Sequence, residues 1–266
     1  MNNIALMLAR LTQDAEKLAG ARGLPIDVLS LLTDLGLGLR IESGTRNRRA
    51  GGLRRLDVGW EVLVVRNDHN SLRLTPRERF TIAHEIGHYF VAARFAFKPG
   101  SNREYWALED LCNDFARSLL APREALVRVL KHEPTSAKDL AEMTESLSEL
   151  TQLSLEPAAR RITAELRRKV FVSFLEIDLH HSEDTTPRVL WTVQNHPWGP
   201  KGRRKKLSPA DPLAAAASTA RELRHREGTE FSLSTTSNAW VQRRGRYAMV
   251  TGLISHPVDD TAATAS

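Results

Sequence analysis

The sequence predicts a mixed α+β protein in three parts, and three observations carry that prediction. Segments with helical spacing of apolar residues (Ile4–Gly20, Pro76–Arg94, Glu104–Leu120) are interleaved with short runs that alternate or stay apolar in the manner of strands (Leu37–Glu42, Leu56–Arg66). Beyond Pro134 the pattern becomes helical as far as Lys169. Residues 170–256 then return to strand-like runs around one alanine-rich helix. A chain of 266 residues is long enough for one large or two to three small domains, each with a real core. The expected divisions are 1–134, an α+β core; 135–169, a helical segment; 170–256, a small α/β domain; and 257–266, a disordered tail.

In chain order, Ile4–Gly20 is an amphipathic helix with Ile4, Leu8, Leu11, Ala15 and Leu18 on one side. Asp27–Leu35 is a shorter helix closed by Gly36 and Gly38. Between the two early strands, Ser43–Arg55 holds Arg46, Arg48, Arg49, Arg54 and Arg55 around Gly51-Gly52, and reads as a mobile basic loop. Thr75-Pro76-Arg77-Glu78 is a helix start: a threonine cap, proline at the first helical position, and glutamate three residues after the cap. Phe80, Ile82, Ala83, Ile86, Tyr89, Phe90 and Val91 then make that helix mostly buried, to an end near Arg94. Glu104–Leu120 is a second amphipathic helix, halted by Pro122.

Ala137–Ala141 opens a further helical pattern, and Ser154 caps Leu155–Lys169, whose apolar face is Ala158, Ala159, Ile162 and Leu166. Arg160, Arg161, Arg167, Arg168 and Lys169 make this last helix basic, so the segment resembles a helix-turn-helix. Thr144–Thr151 reads as a connection longer than a tight turn needs, and no glycine marks the turn, so packing is preferred over DNA contact. Strands are expected at Val170–Ile177, Val189–Val193, Phe231–Leu233, Ala239–Gln242 and Tyr247–Ile254, with a helix at Pro212–Arg226. Lys201–Lys206 is a solvated basic loop.

Composition excludes several classes. Hydrophobic content of 41% with 26% charged residues is ordinary for a globular protein. A single cysteine, Cys112, excludes an intrachain disulfide framework and suits a reducing compartment. Arg10, Asp14, Glu16 and Lys17 interrupt what would be a signal-peptide core, and no apolar run is long enough to span a bilayer, so a cytoplasmic protein without membrane contact is expected. A net charge of +6 permits nucleic-acid contact without establishing it.

The chemistry concentrates at His84-Glu85-Ile86-Gly87-His88. Residues four apart lie one above the other on a helix, so His84 and His88 can aim both imidazoles at one ion. Glu85 can then serve a bound water as general base without being a ligand. Zinc hydrolases take a third protein ligand, and Glu109 is the best candidate. It shares a stripe with Cys112, Asn113 and Ala116, where a carboxylate is poorly solvated and needs a partner; a solvated surface carboxylate like Glu104 or Asp110 is the alternative. Asn113 can hydrogen-bond the far nitrogen of a ligand histidine. Gly87 is either a tolerated glycine or a point where another backbone comes close. Tyr89, Tyr105 and His132 are each open as the group that steadies a developing oxyanion.

Arg79-Phe80-Thr81-Ile82-Ala83-His84-Glu85-Ile86-Gly87-His88, followed by Glu109-x-x-Cys112-Asn113-x-Phe115-Ala116-x-x-Leu119-Leu120-Ala121-Pro122, resembles the signature of the ImmA/IrrE metallopeptidases. The family usually has alanine where this chain has Cys112 and often methionine at the place of Ala121. The resemblance covers roughly residues 20–125, including Leu24-Pro25-Ile26 and the Val62–Val65 strand, and weakly the helical segment beyond. It implies a zincin-like metallopeptidase core, zinc held by His84, His88 and Glu109, and Glu85 as catalytic base. It further implies an intracellular protease that cuts a partner transcriptional repressor in a stress or mobile-element response, with a small α/β C-terminal domain similar in layout to a GAF domain. In zinc peptidases a strand beside the metal helix often binds substrate by strand addition, and Glu61–Arg66 is the expected strand. The alternative from another class is a DNA-binding transcriptional regulator that keeps a metallopeptidase-like fold and uses residues 136–169.

Overall fold

The computed structural model describes residues 2–44, 50–66, 73–95, 97–177, 187–195, 205–207, 211–225, 227–234, 237–244 and 246–254. Arg46, Arg48, Arg49, His180, His181, His196, Trp198, residues 201–204 and the tail from Ser255 lie outside them. The described residues hold eight helices and two sheets, a mixed α+β architecture as expected. They divide into two compact units, Met1–Val129 with Leu147–Ala158, and Leu130–Ser146 with Ala159–Ser266. No helix among the described residues is long and apolar enough to cross a membrane.

The first unit begins with helix α1 (Asn2–Gly20), whose buried stripe is Met7, Leu11, Ala15 and Ala19. That stripe shares Leu11 and Ala15 with the expected face and has Met7 and Ala19 where Leu8 and Leu18 were expected, and the helix packs against helix α4 (Asn102–Leu120). Helix α2 (Val28–Asp34) is capped by Asp27, whose carboxylate accepts from the Leu29 and Ser30 N–H groups, and it stops at Gly36 with φ +64°.

A three-stranded sheet follows, in the order β1 (Leu37–Ser43), β3 (Trp60–Arg66), β2 (Gly51–Arg55). Strand β3 pairs parallel with β1 and antiparallel with β2, so both of its edges are taken. This corrects the expectation that Glu61–Arg66 receives a guest strand: the backbone groups it would need are already bonded. It also corrects the reading of Ser43–Arg55 as one mobile loop. Gly51–Arg55 is an edge strand, and Leu56–Gly59 is the turn of its hairpin with β3.

Register identifies which groups β2 leaves over. The Val65 N–H donates to the Ala50 carbonyl at 2.8 Å, and the Leu56 N–H to the Gly59 carbonyl at 3.1 Å. Bonded pairs alternate along an antiparallel ladder, so Gly52 and Arg54 also turn their polar groups to β3. Gly51, Leu53 and Arg55 therefore turn theirs to the outer edge, where no strand pairs among the described residues.

Helix α3 (Pro76–Phe95) is buried nearly all round, including Glu78, Arg79, Thr81 and Glu85. Its start is the expected capping box: Glu78 N–H donates to Thr75 Oγ1 at 3.2 Å, and Thr75 N–H to Glu78 Oε2 at 2.7 Å. The same carboxylate accepts from Arg66 Nε at 2.6 Å, tying the helix start to the end of β3. Arg79 donates to the Ile26 carbonyl at 2.8 Å, joining the motif's arginine to the Leu24-Pro25-Ile26 stretch. Burial is the largest influence on Glu78 and pulls its pKa up; the Arg66 and Thr75 hydrogen bonds with the Arg66 charge together outweigh it, leaving the carboxyl below its ordinary value. A group depressed in this way contributes stability above its unfolded pKa of about 4.3, and that contribution disappears as pH falls through the folded value. Glu78→Gln should thus lower stability by about 1–3 kcal/mol at pH 7, with the gap to wild type closing below about pH 4 in urea melts.

Helices α3 and α4 pack against each other at Gly87. A Cβ there would stand 3.2 Å from Phe115 Cδ1 and 3.3 Å from Cys112 Cα. Of the two readings of Gly87, the close backbone approach is the one the packing bears out, and it brings Glu109 toward the histidines. Helix α5 (Arg123–Val129), which the sequence reading did not anticipate, follows Pro122.

Helix α6 (Ala137–Thr151) corrects the reading of Thr144–Thr151 as a connection: those residues are helical, and only Gln152-Leu153-Ser154 separate α6 from α7 (Leu155–Glu165). Gln152 takes the left-handed conformation (φ 54°) that a glycine was expected to mark. The second unit is built on an antiparallel sheet in the order β6 (Lys205–Lys206), β5 (Arg188–Gln194), β4 (Val170–Glu176), β9 (Tyr247–Ile254), β8 (Ser237–Arg244), β7 (Gly228–Ser234). On one face Phe171, Leu175, Val241 and Val250 pack with Ala216, Ala217 and Ala220 of α8 (Pro212–Glu222). On the other, Thr251 Oγ1 donates to the Ala137 carbonyl at 2.6 Å, Lys138 lies over the Trp240 ring, and Glu145 pairs with Arg244.

Candidate metal centre

Helix α3 presents His84 and His88 one turn apart, and α4 crosses it with Glu109 facing both. His84 Nε2 lies 3.1 Å from His88 Nε2 and 3.3 Å from Glu109 Oε2, and His88 Nε2 lies 3.5 Å from Glu109 Oε1. Donors held 2.0–2.1 Å from a tetrahedral ion are about 3.3 Å apart, and each of these pairs is close to that spacing, with one ligand atom from each of the three residues within 4.8 Å of the others. Two imidazoles and a carboxylate are also a donor set that suits first-row transition metals and zinc. The residues present therefore fit a metal ion. The solvated-carboxylate alternative for Glu109 does not describe its surroundings, since both histidines lie within 3.5 Å of it.

His84 Nδ1 lies 3.1 Å from Asn113 Oδ1. The amide oxygen accepts, so with an ion on Nε2 His84 would carry its proton on Nδ1 and be held there by Asn113. Hydrogen bonds with His84 and His88, opposed by burial, hold the Glu109 carboxyl well below the usual carboxylate range, so it is ionised and able to ligate. Cys112 is completely buried, and burial, helped by the charges of Glu109 and Glu85, raises its thiol pKa. It is a small buried apolar residue, as expected, and no nucleophile.

Glu85 is buried, and its carboxylate points to strand β2: Oε1 is 3.5 Å from where a Cβ on Gly51 would stand. That same Cβ would be 2.4 Å from Thr81 Cγ2 and 2.6 Å from the Leu63 carbonyl oxygen. Only glycine lets the edge strand lie this close to the metal helix. The sequence reading missed Gly51 because Gly-Gly-Leu-Arg-Arg has no β-branched residue and looks like a loop; a glycine inside a strand marks close backbone approach once the strand is known.

An open cavity of about 810 Å³ unites His84, Glu85, His88, Glu109 and Asn113 with Gly51–Leu53 of β2. Of the three residues left open for an oxyanion, Tyr105 lines this cavity. Tyr89 instead meets the Trp60 ring edge-on, and His132, in the second unit, hydrogen-bonds the carbonyl of Glu133. The basic residues after the core make local contacts. Arg161 pairs with Glu165, the Arg167 N–H donates to Glu133, and Arg168 donates to the Pro134 carbonyl.

Residues 49–163 match the family model of Peptidase M78, described as an IrrE N-terminal-like domain. The match holds β2, both metal-facing helices and all three clustered side chains. Residues 49–163 thus carry a domain of the ImmA/IrrE kind. Among solved structures, the chain is similar to a Mycobacterium tuberculosis transcriptional regulator, at 13% identity and a TM-score of 0.55, over 92% of this chain and 76% of that one. At that identity the likeness is one of fold. No curated protein matches the chain.

Proposed function

We propose that this chain is a zinc-dependent endopeptidase with a zincin-like core, cutting a protein partner whose expected identity is a helix-turn-helix transcriptional repressor. One observation carries the reading: ligand-type atoms of three residues from two helices cluster within 4.8 Å of one another, with a buried carboxylate beside them under a strand edge. His84, His88 and Glu109 would hold the ion. A zinc ion held there would supply Lewis-acid activation of the attacking water and of the scissile carbonyl. Glu85 takes the proton of the attacking water and returns it to the leaving amine. Gly51, Leu53 and Arg55 offer their outward N–H and C=O groups to an extended substrate, holding its backbone beside Glu85. Asn113 keeps the His84 ring in the tautomer and orientation that ligation needs.

The second unit, an antiparallel sheet backed by an alanine-rich helix, is read as a sensor-like module similar to a GAF domain. The peptidase reading is tested by co-expressing the chain with the helix-turn-helix repressors encoded beside its gene. A new repressor fragment that disappears with chelator is expected; intact repressors throughout would count against it. Asn113→Ala should weaken zinc binding about 10–100-fold in chelator competition while leaving the fold intact by circular dichroism.

A further inference from the structure

We propose that the cut is selected by an apolar side chain on the amino side of the scissile bond, seated against Val91, Ala92, Phe97, Trp106 and Leu108. This rests on the peptidase reading and deepens it. These five residues, two on α3, one just beyond it and two on α4, line the cavity that contains the histidine–glutamate cluster, and none carries a charge. Trp106 is 66% exposed, an unusual position for an indole, and stands on α4 less than a turn before Glu109. Val91 and Ala92 stand on α3 about a turn beyond His88. Apolar surface thus begins where the polar cluster stops.

The direction of the guest follows from that of β2. Its Gly51 end lies against Thr81 and beside Glu85. Its Arg55 end is opposite Trp60, whose ring meets Tyr89 at 6.2 Å between centroids. Strand β2 therefore runs alongside α3 in the same sense. A guest added antiparallel, the more frequent pairing, enters at the Tyr89 end and leaves at the Thr81 end. Residues ahead of the bond being cut then pass the Val91–Trp106 wall, and those behind it pass Thr81. Successive strand side chains alternate in direction, so one of the residues close before the bond turns into the cavity.

Burying a leucine side chain there favours Leu over Ser by about 10- to 150-fold. The test uses zinc-loaded full-length chain, with zinc stoichiometry measured. Isothermal titration compares N-acetyl-Ala-Ala-Leu and N-acetyl-Ala-Ala-Ser, which mimic the amino-side product, and mass spectrometry maps bonds cut in an unfolded protein. The expected result is tighter binding of the Leu peptide and cuts preceded by apolar residues within two positions. Trp106→Ala should erase most of both preferences while zinc content and the circular dichroism spectrum stay unchanged. Cutting without such a preference, or with the preference on the carboxyl side, overturns this proposal and leaves the peptidase reading standing. A zinc-loaded protein that binds neither peptide and cuts nothing overturns both.

Discussion

Glu85→Gln should keep its zinc and lose about 10²–10⁴ in kcat, the range spanned by general acid–base help. The substitution changes one oxygen for nitrogen and leaves the volume under Gly51 unaltered, so the crowding of β2, Thr81 and the helix is preserved. None of the three clustered atoms belongs to Glu85, and metal content should be that of wild type. What disappears is the basic oxygen that accepts the water proton. Steady-state cleavage of the repressor, with zinc measured by elemental analysis on the same sample, checks both halves. Full activity in the variant would remove Glu85 from the reaction.

Glu109→Ala should abolish stoichiometric zinc. Glu109 is the one carboxylate of the cluster, and its removal leaves two imidazoles with their Nε2 atoms 3.1 Å apart. The loss should exceed the 10–100-fold expected for a supporting residue such as Asn113. Because metal that binds only the folded state raises stability by mass action, added zinc should increase the wild-type Tm and leave that of the variant unmoved. Asp110→Ala, an exposed position beside it in sequence, is the control and should retain metal. Equal zinc content in Glu109→Ala and wild type would remove Glu109 from the ligand set.

Much of the first unit was legible because its information is local. Thr75, Pro76 and Glu78 announce a helix start by their own hydrogen-bonding chemistry, and the bonds found between Thr75 and Glu78 are those such a box makes. The four-residue spacing of His84 and His88 is a property of any helix. The stripe of Glu109, Cys112 and Asn113 could be read the same way, down to the Asn113 contact with a histidine's far nitrogen.

The failures were of another kind. Strand β2 has weak intrinsic preference and becomes a strand because β3 supplies its ladder. That β3 sits in the middle of its sheet, and so has no edge to offer, is a fact of pairing between segments. Thr144–Thr151 reads as a connection in the sequence yet continues helix α6, and the turn falls at Gln152, which adopts the left-handed conformation without being glycine.

By itself the sequence determined the two helices that carry the cluster, the cap at Thr75, the spacing of the paired imidazoles and the family likeness, since each depends on side chains within a few turns of one another. Only the tertiary structure decided that Glu109 meets those imidazoles, that Gly51 lets an edge strand lie over Glu85, and that an apolar wall continues from the cluster. Those outcomes depend on how closely two helices and a strand approach, and that distance is set by small residues, Gly87 and Gly51, whose effect is felt only against a neighbour remote in the chain.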